Sequence, residues 1–222
     1  MIDLQRDGDV FVLRLDDGEN RFSFEMCRQI NEALDEIEAA GSPAALVTTG
    51  TGKFFSNGLD LDEMIAAGEE RAMDYLRGVL DVLARFLTFP TVTVAAVNGH
   101  AFGAGAQLLV AHDYRVMRND RGYFCMPEID MRLPLHPFMT EILRERLPLT
   151  VTHEVIVTGR RYGGEDAAAA GIVDHAVAES KVVSTAKSIA SGLAAKADPV
   201  MHVHKRELHR RVLDVIGAPL PV

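Results

Sequence analysis

Apolar and polar positions change their period several times along the chain, and each change predicts an element. Residues Val10–Leu15 (VFVLRL) alternate and predict a strand, with Asp16-Asp17-Gly18 as its turn. Met26, Ile30, Leu34 and Ile37 then recur at helical spacing, behind the N-capping residue Ser23 and ahead of Gly41. They predict a helix over Phe24–Ala40. Residues 45–49 read as a short apolar strand, and Val92–Val97 is a continuous apolar run that reads as a strand buried on both faces. A long helix is expected between them, over 70–87. Asn98-Gly99 ends the second run, Gly103-Ala104-Gly105-Ala106 follows, and 107–111 reads as a buried helix. Residues 114–117 predict one more strand. From about Thr140 the pattern is mostly helical, with helices expected over 138–147, 151–158, 165–170, 181–196 and 199–216, and an extended piece over 172–177. Strand and helix alternate in the first part, so the class is α/β. The expected organisation is one core over 1–195 with a short helical segment over 196–222.

Bulk properties narrow the function. A chain of 222 residues is long enough for one sizeable core. Its net charge of −9 argues against a nucleic-acid surface. No apolar run approaches membrane-spanning length, and the N-terminus has no basic region followed by an apolar stretch. The two cysteines, Cys27 and Cys125, do not make a disulfide framework. A reducing cytoplasm is the expected compartment.

The candidate chemistry lies between Val92 and Asp130. A helix that starts on Gly and Ala presents bare N–H groups at its positive end, and small side chains let a ligand approach them. Glu128 follows in Met126-Pro127-Glu128-Ile129, among apolar neighbours that favour burial. Burial raises a carboxyl pKa and makes the group a better base. Together these are the parts needed to form and hold an enolate. Gly103 and Gly105 do not complete a dinucleotide loop, because Leu108 stands at the third glycine position. His100 and His112 lack metal-ligand spacing, so no metal is expected. Cys125 reads as core packing, Asp113 as a structural hydrogen-bonding group, and His136 as an exposed residue with pocket lining the alternative.

Four stretches in order resemble the enoyl-CoA hydratase/isomerase (crotonase) family. They are Lys53-Phe54-Phe55-Ser56-Asn57-Gly58-Leu59-Asp60-Leu61, Asn98-Gly99-His100-Ala101-Phe102-Gly103-Ala104-Gly105, Met126-Pro127-Glu128-Ile129, and Thr158-Gly159-Arg160-Arg161 leading to Ala170-Gly171-Ile172-Val173. The resemblance implies a crotonase spiral of ββα units with a helical C-terminal region, assembled as trimers or pairs of trimers. It implies an acyl-CoA thioester substrate, with coenzyme A part of that substrate and no separate cofactor. The thioester oxygen would sit between the N–H groups of Leu59 and Ala104. Coenzyme A would lie near Arg21, Phe22, Lys53 and Ser56, Asn57, Gly58 and Asp60. Leu61, Met64, Gly103, Gln107, Pro127 and His136 would complete the substrate site.

Two positions depart from the family pattern. Ala104 stands where glycine is common. Family hydratases use two glutamates, and Gln107 occupies the place of the first. A neutral amide cannot act as a base. One remaining carboxylate suits a double-bond shift, which needs a proton taken from C2 and returned at C4. Pro134, Pro137 and Asp113-Tyr114-Arg115 are similar to the 3,2-trans-enoyl-CoA isomerases of the family. The expected activity is therefore conversion of 3-enoyl-CoA to 2-enoyl-CoA with Glu128 as single acid/base. The alternatives are an unusual enoyl-CoA hydratase and an acyl-CoA-binding protein without catalysis.

Overall fold

Repeated strand, strand, helix units organise the chain, and the first two begin on runs that the sequence makes too apolar for a half-exposed strand. The computed structural model describes residues 1–221, with side chains throughout except at 69 and 70. The chain opens with β1 (Ile2–Asp7), β2 (Val10–Leu15) and β3 (Arg21–Phe22), followed by α1 (Phe24–Ala40). The Ser23 hydroxyl caps α1, accepting from the Met26 N–H at 2.9 Å. The first unit is β4 (Ala45–Gly50), β5 (Phe54–Ser56) and β6 (Gly58–Leu59), then α2 (Leu61–Ala66) and α3 (Gly68–Leu87). The second is β7 (Val92–Val97), β8 (His100–Phe102) and α4 (Ala104–Ala111). The third is β9 (Tyr114–Arg118), β10 (Phe124–Cys125) and the single-turn α5 (Glu128–Met131).

Each unit adds one strand to each of two sheets, which makes the chain a spiral of ββα turns. The main sheet has the order β1, β2, β4, β7, β9 and then β11 (His175–Val177); the second has the order β10, β8, β5. Only β1 and β2 pair antiparallel in the main sheet. Leu13, Leu46, Ala95, Val97 and Met117 turn to one face of it, towards α1, α3 and α4. Val12, Val47, Val94, Ala96 and Val116 turn to the other and pack on Val182, Ala186 and Ala190. These last three belong to α9 (Val182–Leu193), which follows α6 (Pro137–Arg146), α7 (Leu149–Thr158) and α8 (Gly164–Ala169). A sheet covered on both faces explains the continuous apolar runs.

The segment after residue 196 forms α10 (Pro199–Leu208) and α11 (Arg210–Leu213) and packs on the core of its own chain. Lys205 reaches Asp113 at 2.6 Å and the Thr91 carbonyl at 2.8 Å, and Val212 is fully buried. The structure corrects several expected boundaries. β1 was not predicted; it is an edge strand with only Ile2 and Leu4 half-buried, so it carries little apolar signal. The expected 199–216 helix breaks at His209, whose ring turns inward against the Glu145 carboxylate. The expected 181–196 helix is α9 flanked by 3₁₀ turns.

Candidate active site

α4 is the centre of the site. Glycines let it approach the neighbouring strands: a Cβ on Gly105 would lie 2.2 Å from the Ser56 carbonyl oxygen, and one on Gly58 would lie 3.0 Å from the Ala104 nitrogen. Gly103 precedes the helix at φ +52°, a conformation that favours glycine, and no side chain caps the helix N-terminus. The other end is closed. Arg146 donates to the carbonyls of Val110 (3.0 Å) and His112 (2.6 Å), a cation on the negative end of the helix. Asp60 N–H points back to the Phe22 carbonyl at 3.3 Å. Neighbouring N–H groups alternate sides along a strand, so the Leu59 N–H faces away from β3.

A cavity of about 150 Å³ opens at the bare end of α4. Its wall includes Asn57, Leu59, Leu61, Met64, Gly103, Ala104, Pro127, Glu128 and His136. These nine expected site residues come together from β6, α2, the start of α4, α5 and the turn before α6. The wall also includes Leu76, Met131, Leu133, Pro134, Leu135, Met139 and Leu220.

Glu128 opens α5. One carboxylate oxygen lies beside Gly103, where an added Cβ would stand 3.0 Å from it. The other, Oε2, is buried and has no partner among the described residues. Burial pushes the carboxyl pKa up to about 7, partly offset by the backbone N–H of Glu128 itself. No cation is near enough to hold it down, so the group is poised between acid and base at neutral pH.

Gln107 lies one turn into α4 and is fully buried. Its Nε2 donates to the Met139 carbonyl at 3.1 Å, tying α4 to α6. Its side chain is not part of the cavity wall. Phe22 and Ser56 are also off the wall. Phe22 is in the core, and Ser56 is buried with its hydroxyl donating to the Asn20 carbonyl at 2.7 Å. Gly58 supports the wall through its close backbone approach to Ala104. Arg21 is engaged by Glu19 at 2.7 Å and Asp62 at 3.3 Å, with Asp60 at 4.0 Å. Asp60 caps α2, accepting from the Glu63 N–H at 3.1 Å. The Lys53 ammonium lies 5.4 Å from the Phe54 ring centre, outside the cavity.

His136 corrects the expectation of exposure: it is 2 % exposed. Its Nδ1 accepts from the Phe138 N–H at 3.1 Å and caps α6, while Nε2 meets the Ala218 carbonyl at 2.8 Å. Cys125 is buried, as core packing predicts, and its thiol faces the Gly159 carbonyl at 3.2 Å. Leu220 and Met139 went unidentified in the sequence. Met139 carried only the apolar spacing of α6, and Leu220 carried no signal.

A larger cavity, about 440 Å³, lies between the ends of α1 and α3 and the start of α10. Its charged groups and His202 are partnered. Arg85 binds Asp35, Glu38 and the Asn31 carbonyl, and His202 binds the Thr88 carbonyl at 2.7 Å. Volume without an unpartnered titratable group does not favour chemistry there. Among the described residues, no group of three or more His, Cys, Asp or Glu side chains is arranged to hold a metal ion. No helix is long and apolar enough to cross a membrane, among the described residues.

The sequence profile of the enoyl-CoA hydratase/isomerase family matches residues 5–216. Enoyl-CoA delta isomerase 3 of Arabidopsis thaliana is 35% identical, over 88% of this chain and 86% of its own length. Enoyl-CoA delta isomerase 2, peroxisomal, of the same plant is 35% identical over 98% and 95%. Carnitinyl-CoA dehydratase of Escherichia coli is 31% identical over 93% and 79%. A Mycobacterium tuberculosis protein, described in one structure as an enoyl-CoA isomerase and in another as a probable enoyl-CoA hydratase, superposes with a TM-score of 0.89 at 29% identity, covering 98% of this chain and 94% or 92% of the other. By its sequence and its ββα spiral, the chain belongs to the enoyl-CoA hydratase/isomerase, or crotonase, family.

Proposed function

We propose that this chain is an acyl-CoA isomerase that moves the double bond of a 3-enoyl-CoA to the 2 position. The observation that carries the reading is the lone half-buried carboxylate of Glu128, whose Oε2 is enclosed and unpartnered among the described residues, with an amide at position 107 where a second carboxylate would be needed. In this mechanism the thioester oxygen accepts from the N–H groups of Leu59 and Ala104. Glu128 takes a proton from C2. The C–H electron pair flows into a dienolate whose negative oxygen faces the positive end of α4. Glu128 then returns the proton at C4, and the double bond is left between C2 and C3. A positioned base contributes about 10²–10⁴ in rate, and each oxyanion donor about 10²–10³.

The names of the two Arabidopsis relatives support the isomerase reading. The dehydratase relative favours a second one, in which water is added or removed. A paired assay separates them. The isomerase reading expects conversion of a 3-enoyl-CoA and no hydration of a 2-enoyl-CoA. Robust hydration contradicts it and supports the hydratase. Binding of acyl-CoA with no turnover of either substrate supports the binding-protein alternative.

Under this reading no cofactor takes part beyond the coenzyme A of the substrate. Assembly as trimers or pairs of trimers belongs to the same proposal and is tested by sedimentation of the pure protein; a monomer contradicts it. The cytoplasmic setting is tested by fractionation of cells expressing the chain. A peroxisomal pool, the compartment in the name of one relative, would contradict it.

A further inference from the structure

Part of the cavity wall is a piece of chain with no regular secondary structure. After α11 the chain turns through Gly217, and Leu220 joins the cavity wall that also includes Leu135 and Met139. Leu220 is 36 % exposed, so it stands at the boundary between cavity and solvent. Among the described hydrogen bonds, one joins residues 218–221 to another element: His136 to the Ala218 carbonyl. The ring's geometry fixes which nitrogen donates. Nδ1 accepts from the Phe138 N–H, so the ring proton is on Nε2 and points at Ala218. The bond is partly shielded: His136 is buried and Ala218 half-buried.

We propose that residues 218–221 form a strap, tied down by His136, that sets the length of acyl chain the site accepts. This rests on the reading of the cavity as an acyl-CoA site and adds the substrate class: short-chain acyl groups of about four to six carbons. A dry apolar cavity of about 150 Å³ holds a molecule the size of benzene, with about six carbons, so this space of about 150 Å³ takes an acyl chain of about four to six carbons up to Leu220. A longer chain has to displace the strap. Leu220 is then the specificity-determining residue, and His136 is a positioning residue that acts through it.

The test is calorimetric binding of saturated butyryl-, hexanoyl-, octanoyl- and dodecanoyl-CoA, which needs no turnover. Wild-type affinity should rise about fourfold per methylene up to hexanoyl-CoA and stop rising beyond it. Leu220→Ala, and a chain ended after Gly217, should move the break to longer chains and bind dodecanoyl-CoA at least tenfold more tightly than the wild type does. His136→Asn keeps an acceptor for the Phe138 N–H but cannot reach Ala218. It should move the profile the same way with little change in melting temperature. A wild-type affinity that climbs without a break to dodecanoyl-CoA overturns the proposal. So does an unchanged profile in both strap variants. Absence of binding at every length overturns the acyl-CoA reading and the strap with it. A break at hexanoyl-CoA in a protein that does not isomerise overturns the isomerase reading alone.

Discussion

The two ends of α4 each face a carboxylate, and the two are treated in opposite ways. At the C-terminal end, Asp113 accepts from the Thr93 N–H at 2.8 Å, the Thr93 hydroxyl at 3.1 Å and Lys205 at 2.6 Å. Arg146 covers the helix carbonyls beside it. At the N-terminal end no side chain caps the helix, and Glu128 keeps a buried oxygen with no partner. Buried polar groups are nearly always paired, so an unpaired one marks either strain or use. The satisfied end holds the fold together. The unsatisfied end opens on the cavity, where a reacting molecule would supply the missing partners.

Exchanging the roles of the two ends should show the difference, and the largest effect belongs to Glu128. Glu128→Gln keeps the shape and removes the base. It should lower kcat/KM for a 3-enoyl-CoA by about 10³ without lowering the melting temperature; a loss under tenfold would contradict the role. Asp113→Ala should do the reverse. It strands the buried Lys205 ammonium, which typically costs about 3–5 kcal/mol, measurable by urea unfolding. The folded fraction should retain kcat/KM within a few fold.

The third effect concerns stability against pH. The Glu128 pKa rises from 4.5 to about 7 on folding. The native state therefore holds more protons than the unfolded chain between these values, and stability falls as pH rises through that window. Relative to Glu128→Gln, the wild type should lose roughly 3 kcal/mol between pH 4 and 8, at 1.36 kcal/mol per pKa unit. A difference that stays constant across the window contradicts the burial of the charge. The smallest effect is at Gly103. Gly103→Ala forces a methyl into a positive φ and to 3.0 Å from the Glu128 carboxylate. It should lower stability by about 1–2 kcal/mol and displace the base, with a drop in kcat but not in acyl-CoA affinity.

What could be read from the sequence followed the range of the interactions. The α1 cap at Ser23, the double-sided burial of Val92–Val97 and the partial burial of Glu128 each depend on residues close in the chain, and each is observed. The short strands β5, β6, β8 and β10 are two or three residues long, too short for a period. The spiral they build entered through the resemblance rather than from patterning. His136 looked exposed between prolines, because its partner at Ala218 lies 82 residues away. Leu220 reaches the cavity for the same reason: only the folded strap brings it there. Arg21 was expected near coenzyme A, and the fold surrounds it with Glu19, Asp60 and Asp62, acidic partners distant in sequence except Glu19.

The most direct test of the account is the pH dependence of kcat/KM for a 3-enoyl-CoA, which reports the essential ionisations of the free enzyme. A single unpaired carboxylate predicts one ionisation near pH 7, with activity falling tenfold per unit below it and level above. An ionisation at the ordinary carboxylate value near 4.5, or a bell that requires a second group, would contradict Glu128 as the lone acid/base.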